Sequence, residues 1–252
     1  MSLAIDHLVI LVRDLAVASA DYAALGFTVT PGGTHTDGAT HNALVALADG
    51  SYFELIAFLR EAPQHRWWQH TVAGEGLVDF ALVPDDIEAV IAGAHGRGLD
   101  LNGPQDGGRL RPDGQRVAWR SGWASSTDLP FLCADVTPRE LRVPPGAARQ
   151  HANGVSGIAE LTVAVRDLTA SSTRYQALLG YPPLALDGGQ RATFALGTTR
   201  LHLAAPTRDD AALLAHLEQR GEGPYALTCT RSGAPQTLDL ALTHNVPIHL
   251  GN

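Results

Sequence analysis

The sequence has 252 residues, of which 45% are apolar and 17% charged, and its formal net charge is −8. That composition supports a packed core and excludes a disordered chain. The acidic balance argues against general binding to nucleic acid or an anionic membrane, since both need a positive field, but it does not exclude a small anionic substrate, because a local pocket can invert the global sign. Two cysteines, Cys133 and Cys229, build neither a disulfide framework nor a CxxC zinc pair. The opening MSLAIDHLVIL lacks the pattern of a secretion signal, and no stretch approaches the roughly 20 apolar residues of a membrane span. A cytoplasmic protein is expected.

In chain order, the first element is a strand. Ile5, His7, Val9 and Leu11 alternate with Asp6, Leu8, Ile10 and Val12. Asp14 is a good N-cap for a helix with a rough apolar face of Val17, Tyr22 and Leu25, and Gly26 ends it. Strands follow over 27–30, 42–47 and 51–58, with Asp49-Gly50 as a hairpin turn between the last two. The unit reads β-α-β-β-β. A polar, aromatic segment over 62–76 carries Trp67 and Trp68, which suit a lid or a contact in a homodimer.

The same plan then recurs. Asp79 heads a second strand, Asp86 caps a helix with an Ile87, Val90, Ile91 and Ala94 stripe, and Gly96 and Gly98 stop it. Gly32-Gly33 and Gly107-Gly108 read as turns. After a linker over 138–156, rich in Pro, Arg, Gly and Ala, a third copy opens at Glu160. Its VRDL repeats the VRDL of the first, Tyr175 repeats Tyr22, and Gly180-Tyr181 repeats Gly26-Phe27. Strands over 192–196 and 200–204 close it, and a truncated fourth copy begins at Pro224. The expected division is 1–137, holding modules 1–60 and 76–136, then the linker, then 157–252.

A βαβββ unit opening with DHLVI, followed by VRDL, ALGF and a later YFELIAF strand, resembles the vicinal oxygen chelate superfamily of glyoxalases, bleomycin-resistance proteins and extradiol dioxygenases. The segments TPGG, THNAL and DGSYFELI, with PDG, Trp119-Arg120 and LPFL further on, look closest to its glyoxalase-like domain branch. The resemblance implies an α+β fold in which paired βαβββ modules form an open, cupped eight-stranded barrel. It implies a divalent metal (Zn, Mn, Fe or Ni) in many members, held by the first and last strands of the modules. Those positions carry His7, Glu54 and Asp79 here, while the last strand of the second module offers only Phe131, Leu132 and Cys133. The third module offers Glu160 and His202.

Each residue has an ordinary reading too. A lone histidine on an apolar strand is usually a core residue, but Glu54 shares the face of Tyr52, Ile56 and Phe58, and a buried carboxylate needs a partner. His7 and Glu54 can satisfy each other or a metal. Asp79 is either a third ligand or the partner of an arginine. His41, at a strand entry, is either solvated or a general acid/base, with Glu54 and Glu160 as the other groups able to move protons. Trp119 and Arg120 are either core and surface, or, with Phe131, the wall and anion clamp of a substrate site. Two pairings stay open: first module with second, or first with third, the latter assembling His7, Glu54, Glu160 and His202. The GxGxxG, GxxxxGK[ST], GxSxG and HExxH motifs are all missing. Three functions compete. One is a metal-dependent lyase, isomerase, epimerase or dioxygenase chelating two adjacent oxygens of a small substrate. The second is a metal-free protein that sequesters a drug or metabolite. The third is a structural or regulatory module whose pocket is vestigial.

Overall fold

The computed structural model describes residues 3–251. The first module is β1 (Leu3–Leu11), α1 (Leu15–Ala24), β2 (Thr30–His35), β3 (Thr40–Ala46) and β4 (Tyr52–Phe58). The second is β5 (Gly76–Pro84), α2 (Ile87–Gly96), β6 (Leu101–Leu110), β7 (Arg116–Ala124) and β8 (Phe131–Asp135). These eight strands close a ring in the order β1-β4-β3-β2-β6-β7-β8-β5, so the first module pairs with the second. In each module the first strand lies parallel to the last. The two seams are unequal. β1 and β5 pair along nearly their whole length, whereas β2 meets β6 only at Thr34↔Leu110 and His35↔Arg109.

Local signals explain the elements. Asp14 accepts hydrogen bonds from the amides of Ala16 and Val17, and Asp86 accepts one from Ala89, as N-caps do. Gly26 follows α1 with φ +88, where a side chain would be strained. Val17 departs from the expected apolar face: it is half exposed, and Ala18 and Tyr22 carry the burial. Two other expectations change. Residues 27–30 mostly precede β2, and both glycine pairs lie inside strands, Gly32-Gly33 in β2 and Gly107-Gly108 in β6. Glycine carries no strand signal, so β6 is nearly silent in the sequence.

The linker is ordered. α3 (Arg139–Arg142) and a 3-10 turn over Gly146–Arg149 lead to β9 (Val155–Ala164). Next come α4 (Leu168–Leu179), β10 (Ala185–Asp187), β11 (Arg191–Leu196), β12 (Thr199–Ala204), α5 (Ala211–Gln219), β13 (Gly223–Arg231), β14 (Gln236–Thr237) and β15 (Ile248–Gly251). These strands form a seven-stranded sheet in the order β10-β11-β12-β9-β13-β15-β14, which does not close. β13 lies parallel to β15, as β9 does to β12, so the last copy keeps its first and last strands.

One apolar core joins ring and sheet, running from Leu8, Ile10 and Phe53 to Leu161, Leu201 and Cys229. The repeated tyrosines cross this boundary in opposite directions. Tyr22 on α1 donates to the carbonyl of Thr243 (3.2 Å), and Tyr175 on α4 donates to the carbonyl of Asp128 (2.6 Å). No helix of the described residues is long and apolar enough to cross a membrane.

Candidate active site in the first barrel

The site begins with an irregularity in β1. The β1–β5 register slips between Ile5 and His7, leaving Asp6 as an extra residue. Such a bulge re-aims the side chains beside it. Here it lets Asp6 Oδ2 meet Nδ1 of the adjacent His7 at 2.7 Å. Asp6 has no solvent contact, yet Arg142 reaches it with Nη1 (2.6 Å) and Nη2 (3.0 Å), and Arg139 adds Nη2 at 2.8 Å. Burial opposes its charge, but Arg142 and His7 outweigh burial and hold its carboxyl well below the usual range. Arg142 also binds Asp135 and donates to the Tyr52 hydroxyl. The Tyr52 ring stacks on His7, with centroids 4.6 Å apart. Both arginines come from α3, so the linker seals this end of the barrel.

Glu54 on β4 faces His7 from the neighbouring strand, with Oε2 3.5 Å from His7 Nε2. On its other side Oε1 lies 3.5 Å from Nε2 of His35 and accepts from Nδ2 of Asn42 at 2.5 Å. Burial alone would raise its pKa, but His35, His7 and Asn42 reverse that and bring it down to about 2. Glu54 is therefore an ionised carboxylate at any physiological pH. His35 is oriented in turn by Thr40 Oγ1, 2.8 Å from its Nδ1.

These groups line a cavity of about 240 Å³. Phe131 sets its ring edge-on to His7 (5.3 Å), and Trp119 packs edge-on against His35 (5.9 Å). His65, Trp67, Trp123, Cys133 and three arginines, Arg66, Arg109 and Arg142, also line it. Burial pushes the Cys133 thiol up, so it stays protonated. Gly107 lies beneath Trp119: a Cβ there would stand 2.5 Å from Trp119 Nε1.

Of the residues expected from sequence, His7, Glu54, Trp119 and Phe131 share this cavity. Asp79 does not line it. It lies beyond Arg66 and Trp67, bound to Arg66 Nη2 (2.7 Å) and Trp67 Nε1 (2.8 Å). Arg120 is an exposed partner of Glu88, outside the cavity. His41 points the other way. Its strand neighbours Thr40 and Asn42 serve the site, and an odd residue between them faces an outer groove beside Pro31 and Pro112. Glu160 and His202 stand on the second sheet, 3.8 Å apart, with Glu160 half exposed. They do not meet His7 and Glu54, which removes the pairing of first module with third.

His35, Arg109 and Arg142 escape the sequence reading. His35 and Arg109 flank Gly-rich stretches without strand character, and Arg142 lies in the linker. A histidine six residues from His41 was the one available signal. A divalent metal fits this donor set poorly. The donors gathered here are His7, His35 and Glu54, and both imidazole Nε2 atoms are turned onto Glu54 oxygens at 3.5 Å rather than toward a common point, while Asp79 is taken by a cation and β8 offers Phe131 and a protonated Cys133. Among the described residues, no three His, Cys, Asp or Glu side chains are placed to hold one.

A family model described as glyoxalase-like domain matches residues 5–179. Comparison with the curated proteins finds no match. Among solved structures, a hypothetical protein from Staphylococcus aureus is similar over 99% of both chains, with TM-score 0.77 and 12% identity. A mutant of 4-hydroxymandelate synthase from Streptomyces coelicolor aligns over 92% of this chain and 72% of its own, with TM-score 0.63 and 17% identity. A xylose isomerase-like TIM barrel/4-hydroxyphenylpyruvate dioxygenase fusion protein aligns over 91% of this chain and 37% of its own, with TM-score 0.56 and 18% identity. At these identities the structures establish the shared fold.

Proposed function

The chain belongs to the glyoxalase-like domain family of the vicinal oxygen chelate superfamily, and on that footing we propose that its first barrel moves a proton on a small oxygenated substrate, as a lyase or isomerase does. The observation that supports this most is the buried line Asp6–His7–Glu54 on a cavity wall. Asp6 accepts the Nδ1 proton of His7, which fixes the tautomer and turns Nε2 toward the cavity. Glu54, with a pKa near 2, is too weak a base to take a proton from carbon at neutral pH. His7 is therefore the base, Glu54 stabilises the imidazolium that forms, and Asp6 positions the ring. The aromatic walls exclude water.

The test is hydrogen–deuterium exchange into a panel of small ketones, aldehydes and oxo acids, followed by NMR in D2O. At least one compound should exchange with wild type, and His7→Gln should slow that exchange about 10²- to 10⁴-fold. Prior chelation should leave the rate unchanged. Loss of exchange on chelation, with recovery on adding Mn, Fe, Ni or Zn, would return the metal-dependent reading, including the dioxygenase. A second reading has its own support. With β8 presenting Phe131 and Cys133 beside Trp67, Trp119 and Trp123, one wall of the cavity is apolar and suits sequestration of a ligand. Stoichiometric binding with no exchange on any compound would favour it.

A further inference from the structure

Three arginines line the cavity, and two are neutralised. Arg142 is held by Asp6 and Asp135, and Arg66 by Asp79. Arg109 is the third. It is 2% exposed, and no carboxylate of the described residues forms an ion pair with it. Its Nη2 donates to the Arg142 carbonyl (2.8 Å), and its Nε is buried with no partner. Asp37 and Asp106, the other acids on the cavity lining, sit at the exposed rim. Burial works against the Arg109 charge, with Tyr52 and Glu54 offsetting part of the effect. A buried, unpaired cation is costly, and arginine does not relieve the cost by losing its proton.

The position of Arg109 says what is missing. It pairs directly with His35 across the β2–β6 seam, and both side chains line the same cavity. The guanidinium thus lines a space beside the His35–Glu54–His7 row. We propose that this space takes the carboxylate of the ligand, so the substrates are small organic carboxylates that seat their anionic end on Arg109. A planar guanidinium suits a carboxylate because two parallel N–H groups can meet its two oxygens. The volume sets the size. Cavities near 150 Å³ hold benzene, so about 240 Å³ holds one ring-sized body and a carboxylate. The Trp119 and Phe131 faces would enclose that body.

The inference rests on the first barrel being the working site, and it is tested by binding alone. Acetate, benzoate and phenylacetate are each compared with their own amide, by calorimetry and ligand-observed NMR on wild-type protein. At least one acid should bind about 10- to 100-fold more tightly than its amide, and Arg109→Met should remove the difference. Arg109→Met should also fold, since it deletes an unpaired charge, and its Tm should stay within a few degrees of wild type. Should it not fold, the acid–amide comparison on wild type still decides. Equal affinity within every pair, or no binding by any acid, overturns the proposal, as does acid preference that survives in Arg109→Met. Acid preference with no proton exchange on any ligand upholds this inference and overturns proton transfer. Exchange confined to neutral ketones does the reverse.

Discussion

Glu54 has almost no water to stabilise its charge, and its neighbours do that work instead. Two imidazoles and one carboxamide surround the carboxylate and hold its pKa near 2, against an ordinary value of 4.5. A depressed carboxyl pKa stabilises the fold above the unfolded value, and that stabilisation is lost as pH falls through the folded value. Urea unfolding of wild type and Glu54→Gln should therefore give a wild-type advantage of about 3 kcal/mol above pH 5, shrinking toward zero near pH 2. An advantage equal at pH 5 and pH 3 would mean that the imidazoles do not hold Glu54 ionised. At this scale the sequence was legible where the period-2 rule applies: His7 and Glu54 follow from alternation on β1 and β4. His41 illustrates its limit. A one-residue error of parity moves a side chain from one face of a strand to the other, and the histidine beside Glu54 on the far side from His7 proves to be His35.

Strands and seams govern how precisely the site is held. His35 and Arg109 occupy one of only two residue pairs that join β2 to β6, so the site depends on that seam. Gly33 allows the seam to form. Its φ is +134, and a Cβ there would stand 2.0 Å from the Leu110 carbonyl oxygen. Gly33→Ala should lower Tm by about 5 °C or more, because backbone strain and a backbone clash add. It should also weaken carboxylate binding, since Arg109 moves with β6. Gly96, at the end of α2 with open space around it, is the control: Gly96→Ala should be neutral or slightly stabilising. Thermal melts and benzoate titration check both, and an unchanged Gly33→Ala protein would show that the seam carries no strain. The elements around this seam were also the least legible. β6 reads LNGPQDGGRL, which has no alternation and no β-branched residue, and its pairing with β7 along its length and with β2 at its end makes it a strand. α3 looked like linker because its role is electrostatic: it delivers Arg139 and Arg142 to Asp6.

At the scale of the molecule, the repeat made most of the fold legible, because each βαβββ copy carries its own caps and alternation. What the repeat could not fix was how the copies combine. The first two close a ring with the site inside. The last two leave an open sheet whose polar face, with Glu160 and Thr228, meets solvent while its apolar face packs on the ring. That sheet does not close on itself and shares one apolar core with the ring, so ring and sheet should be one cooperative unit. The tyrosine exchange gives a way to test this. Each hydroxyl is bonded across the boundary and fully buried. Removing one hydroxyl costs about 1 kcal/mol and leaves the packing intact. Tyr22→Phe and Tyr175→Phe should each lower Tm by about 2–4 °C. Scanning calorimetry should record a single transition in wild type and in both variants, with calorimetric and van't Hoff enthalpies in agreement. Separate transitions for ring and sheet would mean that the shared core does not couple them. In that case the second sheet would be a companion to the site rather than part of its support.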